Sequence, residues 1–170
     1  MLGGQSSVDT AKPANSITMR MFLSVAVLMA AMCEPHSAAA SLGGTTTTVE
    51  TDRARMQAKL QMTKKPSYMV HELRAPNSVV VREFVSPTGL VFGVAWQGPS
   101  RPDLQQLLGA YFEHFTQAAK AQKEQHTGRR MLLVQEPGLV VESGGHARAF
   151  YGRAYVPQML PVGVQPEEIQ

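Results

Sequence analysis

From Ser67 onward the chain alternates apolar and polar positions with a period of two, the spacing that sends successive side chains to opposite faces of a β-strand. Tyr68, Val70 and Glu72 fall on one face and Met69, His71 and Leu73 on the other, up to a turn at Ala75-Pro76-Asn77-Ser78. A second β-branched run spans Val79 to Val85 and a third spans Leu90 to Trp96, with the turn signal Ser86-Pro87-Thr88-Gly89 between them. The third run is expected to place Phe92, Val94 and Trp96 on one face. Together the three predict an antiparallel meander.

After Gly98-Pro99 the period lengthens. Ser100 and Asp103 stand at capping-box spacing before Leu104, Leu107, Leu108, Tyr111, Phe112, Phe115 and Ala119, which share one helical face. One long amphipathic helix to about Gln122 is predicted. Met131 to Gln135 and Gly138 to Glu142 predict two more strands around Glu136-Pro137. Gly144-Gly145 signals a turn, and His146 to Val156 alternates again. Upstream, Thr47 and Glu50 have capping-box spacing and predict a short helix from about Thr48 to Leu60, with a sparse stripe of Val49, Met56 and Leu60. Pro161 to Gln170 looks irregular. Strands and helices do not alternate strictly, so the fold class is α+β. The expected architecture is a single small domain, an antiparallel sheet of about five or six strands packed by one long amphipathic helix and a short N-terminal helix.

One segment is apolar on every side. Met21 to Met32 is an uncharged run of 12 residues that follows Arg20 and precedes Cys33-Glu34-Pro35-His36-Ser37 and Ala38-Ala39-Ala40. Such a run spans only ~18 Å as a helix against a hydrocarbon core of about 30 Å, too short for a permanent anchor. The order of positive residue, apolar run and small residues is that of a signal peptide. Residues 1–40 are therefore expected to be a leader, with Ala38 and Ala40 as the small residues a signal peptidase accepts and Ser41 as the first residue of the mature chain. Translation starting at Met19 would give a more compact leader. Met32 before Cys33 is not small, which argues against acylation there. Cleavage after Ala40 removes Cys33 and leaves a cysteine-free domain over residues 41–170, periplasmic or secreted, that touches the membrane only transiently through its leader.

The chain has 16 basic and 13 acidic residues for a net charge of +3, and the leader carries two of each sign. Only Lys64-Lys65 and Arg129-Arg130 are adjacent, so no basic stripe points to nucleic acid. His71-Glu72 lacks a second histidine four residues on, where Ala75 stands, and implies no zinc site. Ser143 lacks the glycine two residues earlier that a nucleophile elbow needs. Gly-rich pieces at residues 43–44 and 144–145 lack the other residues of a phosphate loop or dinucleotide turn. No catalytic residue, cofactor or metal is thereby implied. Two weaker possibilities stay open. Glu72, Glu83 and Glu142 lie on predicted strands, and Glu83 with Glu142 is the pair an acid/base enzyme would use. Glu83, Trp96, His146 and Arg148 mark an expected partner or ligand surface, in which His146, Arg148, Phe150 and Gly152 share a strand face opposite Tyr151, Arg153 and Tyr155.

Several blocks carry a family likeness: Ala40-Ser-Leu-Gly-Gly44, Asp52-Arg53, Val81 to Pro99, Asp103 to Gly109 with Tyr111-Phe112, and Ser143 to Pro157. On these the chain resembles a bacterial family of exported proteins known only as domain-of-unknown-function family 2844. The resemblance implies export and one domain, and brings no activity or ligand. The function expected is a non-catalytic module that binds a partner of the cell envelope through its sheet or a strand edge. The alternatives are a small envelope enzyme using acidic residues and a small-molecule binder around Trp96 and Arg148.

Overall fold

The computed structural model describes residues 41–125 and 131–170. Residues 1–40, expected to be a leader, with Met19, Cys33, Ala38 and Ala40, lie outside them. In chain order the elements are α1 (Thr46–Arg55), β1 (Lys59–Lys64), β2 (Met69–Arg74), β3 (Val80–Val85), β4 (Val91–Gly98), α2 (Leu104–Leu108), a 3-10 turn (Gly109–Tyr111), α3 (Phe112–Gln125), β5 (Leu132–Glu136), β6 (Leu139–His146) and β7 (Ala149–Tyr155). Two further 3-10 turns, Pro157–Met159 and Pro166–Glu168, lie in the C-terminal segment. All strand pairs are antiparallel, in the order β1-β2-β3-β4-β7-β6-β5. The α+β class is as expected, but the sheet has seven strands rather than five or six.

The additional strand is β1, in the stretch assigned to the end of the first helix. Met56 and Leu60 have helical spacing, yet Gln57 sits at φ 50, a left-handed conformation that an α-helix cannot continue through. The helix therefore stops at Arg55 and the chain turns into the sheet. Thr45 is the N-cap, without a side-chain cap bond, and Glu50 bonds Arg53 rather than capping. The long helix is likewise two. Asp103 caps α2 by accepting from the Gln105 and Gln106 amides, and Gly109, at φ 49 and ψ −117, breaks the helix before α3.

Gly144 and Gly145 form no turn but run within β6. A Cβ at Gly145 would stand 2.2 Å from the Ala149 carbonyl oxygen, so the glycine permits a close strand approach. The reversal comes later, at Ala147-Arg148, with Arg148 at φ 68. His146 and Ala149 are thus partners across a hairpin, not members of one strand.

The sheet is covered on both sides. One face carries Leu73, Val81, Val94, Trp96 and Val141, packed by Leu107, Leu108 and Phe115 of the helices. The other carries Phe84, Phe92, Ala95, Val140 and Tyr155, covered by Val164 and Ile169 of the C-terminal segment. That segment, irregular as expected, is a structural layer. Phe92 changes sides through a bulge: Phe84 pairs with Gly93 and Val85 with Val91, leaving Phe92 over. It joins Tyr68 and Phe84 at centroid distances of 5.8 and 6.2 Å, opposite Val94 and Trp96 rather than beside them.

Trp96 lies over Gly152, its cross-strand partner. A Cβ at Gly152 would come within 2.3 Å of Trp96 Cζ2 and 2.6 Å of the Glu142 carbonyl oxygen. Gly152→Ala is expected to cost about 1–3 kcal/mol in urea unfolding followed by tryptophan fluorescence, the usual size of an overpacking strain. An unchanged midpoint would mean that the seam has room.

Candidate functional site

Strand alternation sends Glu83 of β3 to the helix-covered face, where it is fully buried. Asp52, three residues after the buried Val49 on α1, points into the same place and is also fully buried. Ser41 completes the cluster. Its position is set by the segment around it: the Ser41 amide donates to Gln106 O at 3.5 Å, Leu42 to Leu107 O at 3.0 Å and Gly43 to Val91 O at 2.9 Å. Ser41 Oγ is hydrogen-bonded to Asp52 Oδ2 and lies 3.0 Å from Glu83 Oε1. Gln106 Nε2 donates to Asp52 Oδ1 at 2.6 Å.

The Ser41 hydroxyl has one proton and faces two acids. Burial pushes the Glu83 carboxyl up to about 8, with the nearby Asp52 charge adding to the effect. Burial raises Asp52 as well, against the hydrogen bonds it accepts from Ser41 and Gln106. Among the described residues nothing donates to Glu83 Oε2. His71, the register partner of Glu83 on β2, is buried with neither ring nitrogen hydrogen-bonded, and burial lowers its pKa. The cluster is sealed, since Ser41, Asp52 and Glu83 each have 0% exposure. Substrate cannot reach it in this conformation.

The tail-covered face is different in kind. A concavity of about 430 Å³ is lined by Gln61, Thr63, Tyr68, Glu72 and Arg82 among others, and a second of about 260 Å³ by Gln97, Glu142, Tyr151 and Arg153. Both are bounded by Arg82 and Gln170, so the chain's last residue divides them. Their arginines are already paired: Arg82 Nε donates to Glu72 Oε2 at 2.7 Å, and Arg153 makes two bonds of 3.0 and 2.8 Å to Glu142, while Lys65 of the larger concavity has no salt bridge among the described residues. Arg153 Nη1 also donates to Pro166 O at 2.7 Å, tying the tail to β7.

Glu83 and Glu142 therefore lie on opposite faces of the sheet, and the pair expected for acid/base work does not form. The four surface residues do not converge either. Glu83 and Trp96 are buried on the helix side, Trp96 with its Nε1 unbonded among the described residues. His146 and Arg148 are exposed at the β6–β7 hairpin, where His146 Nδ1 is 3.2 Å from Ala147 O. The cation over Phe150 is Arg101, at 5.0 Å from the ring centroid. Among the described residues no group of three or more histidine, cysteine, aspartate or glutamate side chains could hold a metal ion. No spacing or motif in the sequence marks Asp52, Gln106 or Ser41 as members of one site. All three lie within the family-like blocks, Ser41 in Ala40 to Gly44, Asp52 in Asp52-Arg53 and Gln106 in Asp103 to Gly109, and that is the one signal pointing to them.

A family profile described as protein of unknown function, DUF2844, matches residues 38–169. The chain belongs to this family. No curated protein and no solved structure matches it.

The two edges of the DUF2844 sheet are unequal. At β5 the side chain of Gln122 on α3 donates to Leu133 O at 2.6 Å, so a helix attends that edge. At β1, five of six residues are exposed, and among the described residues no element pairs with its outer side. Met62 there is 62% exposed.

Arg153→Ala removes both the Glu142 pairing and the Pro166 clamp, at an expected cost of about 1–3 kcal/mol for bonds to a charged group. Hydrogen exchange should quicken across residues 157–170 before the rest of the domain responds. Arg153→Lys, lacking the planar fork, should rescue it only in part.

Proposed function

We propose that this DUF2844 chain is an exported, non-catalytic module of the bacterial envelope that takes up an extended, acidic segment of a partner protein along the outer edge of β1. The observation that carries this is the edge itself. It offers six residues, Lys59–Lys64, without proline or glycine, beside a concavity of about 430 Å³. An open ladder of backbone donors and acceptors is the template for strand addition. Lysines at both ends of β1, with Lys65 next to them, discourage pairing with a second copy and favour an acidic partner. Export is supported by the leader pattern and by a family match that begins at residue 38, next to the expected cleavage point. A non-catalytic role is supported by the burial of the Ser41, Asp52 and Glu83 cluster and by the pairing of Arg82 with Glu72 and of Arg153 with Glu142 in the open concavities.

Fractionation and intact-mass measurement of the full chain expressed in a bacterium should recover residues 41–170 outside the cytoplasm. A photo-crosslinking residue at Gln61 should trap an envelope protein, and Met62→Asp should cut that adduct about tenfold through like-charge repulsion. Met131→Asp, beside β5, should leave it intact. An unprocessed cytoplasmic chain would overturn export. An adduct indifferent to Met62→Asp would overturn the β1 edge as the docking site.

A further inference from the structure

Among the described residues no cation is paired with the buried acids. Asp52 and Glu83 face Ser41 from α1 and β3, and Gln106 on α2 supplies only a neutral amide. His71 faces Glu83 from β2 with its pKa lowered by burial, and Arg55 on α1 acts on Asp52 without a salt bridge to it. Among the described residues no lysine or arginine pairs with either carboxyl. Two acids share the one Ser41 hydroxyl, and Glu83 Oε2 is fully buried with no hydrogen-bond partner among the described residues. In the uncut chain Glu83 answers by keeping its proton, whereas a positive group set among the acids would let both carboxyls ionise in place.

We infer that this group is the α-ammonium of Ser41 itself, made by cleavage of the Ala40–Ser41 bond, and that the cluster is a built receptor for the new amino terminus. The inference rests on the export reading and gives the leader's removal a structural consequence. In the cut, water adds across the peptide bond: its hydroxide goes to the Ala40 carbonyl carbon and its proton to the Ser41 nitrogen, which takes a second proton from solvent. One amide donor thereby becomes three ammonium donors. Nitrogen and Oγ of one serine lie about 3 Å apart, so the new amine forms beside the Oγ that bridges Asp52 and Glu83, and the Ser41 nitrogen already lies 3.5 Å from Gln106 O. The two carboxyls and that carbonyl are the acceptors assigned to its three donors. Only a chain beginning at Ser41 has its charge there, so the receptor distinguishes that cleavage register from its neighbours.

The two forms differ in their pH dependence. With Ser41 in peptide linkage, the folded chain keeps a proton on Glu83 up to about 8 that the unfolded chain releases near the ordinary 4.5. Such a form loses stability as pH rises through that window. In the processed form the paired ammonium's pKa lies above its ordinary value and the carboxylates lie lower than in the unprocessed chain. Stability is then held through neutral pH, and is lost only as the amine deprotonates in alkali.

The test uses the full chain, exported and processed by its own leader, against a variant with Ala-Gly inserted after Ala40 so that processing leaves two residues before Ser41. N-terminal sequencing and fractionation report on export separately from everything that follows. For protein starting at Ser41, thermal unfolding should be flat from pH 5 to 8, with a midpoint at pH 8 about 5 °C or more above that of the inserted variant. The variant's midpoint should fall across the same range, and Glu83→Gln placed within it should remove the fall. As a measurement that does not depend on the variants folding, the processed chain's α-amine should resist acetylation at pH 7 and react freely in urea. An amine that reacts like that of a peptide, matching pH profiles, or processing at another bond would each overturn the receptor. Exported protein with any of those results leaves the export reading standing, whereas a chain retained in the cytoplasm fails both.

Discussion

The pairing of β4 with β7 is the contact on which the rest of the domain depends. It joins two local meanders, β1 to β4 and β5 to β7, into one sheet, and the helices α2 and α3 lie within the connection that it closes. Local hairpins form cheaply because their loops are short, whereas this seam requires a long loop to close before any contact rewards it. Its register is held where Trp96 lies across Gly152, since no side chain larger than hydrogen fits beneath that ring without displacement. A slip by one residue would turn Trp96 and Val94 to the tail side.

Central position imposes a second constraint. Six consecutive residues of β4, Val91 to Trp96, are buried, so both faces of the strand need cover. The helices cover one face, and the C-terminal segment, short of regular hydrogen bonding, covers the other with Val164 and Ile169. The segment compensates with specific ties, the Arg153 bond to Pro166 O and the Tyr68 hydroxyl at 3.1 Å from Glu168. A narrow cover leaves the flanks of that face open, and there the concavities lie. The helix side is broad enough to exclude water from a pair of acids. One sheet therefore has a dry face with a buried acid cluster and a wet face whose arginines are paired.

Local rules were legible where the cause was local. The period of two in β2 and β3 and the apolar stripe of Leu104 to Ala119 follow from backbone geometry alone and appear where the pattern put them, whereas in β4 the bulge at Phe92 sends that residue to the face opposite the expected one. The break at Gly109 and the end of α1 at Gln57 did not, because each turns on one residue's backbone angle within an otherwise helical spacing. At β1 only Leu60 packs against the core, and as an edge strand with one partner it leaves almost no alternation to read. Glycines 144 and 145 misled for a related reason: a small residue permits a turn and a close strand approach equally, and only the tertiary neighbour decides. The site shows the same limit. Glu83 was visible as a strand carboxylate, but its opposition to Asp52 joins positions far apart in the chain, a pairing that no spacing encodes.

Buried acids are poor stabilisers in themselves, since desolvation opposes whatever their bonds return. Sealing Asp52 and Glu83 under α1 is a cost that a leucine or methionine in their place would avoid. An active-site acid justifies such a cost by meeting substrate, and these two have no opening toward solvent. What they do meet is the segment Ser41 to Gly44, stitched by backbone bonds to α2 and β4, and so the start of the domain is held at a fixed point rather than left to fray. Terminal residues of most domains are loosely held unless a specific bond restrains them. Here the backbone bonds are joined by the Ser41 hydroxyl's bonds to Asp52 and Glu83 in the interior, which couples Ser41 to the placement of α1. The edge at β1 follows α1 directly in the chain, joined through Gln57, so the position of that helix also fixes where the open strand begins.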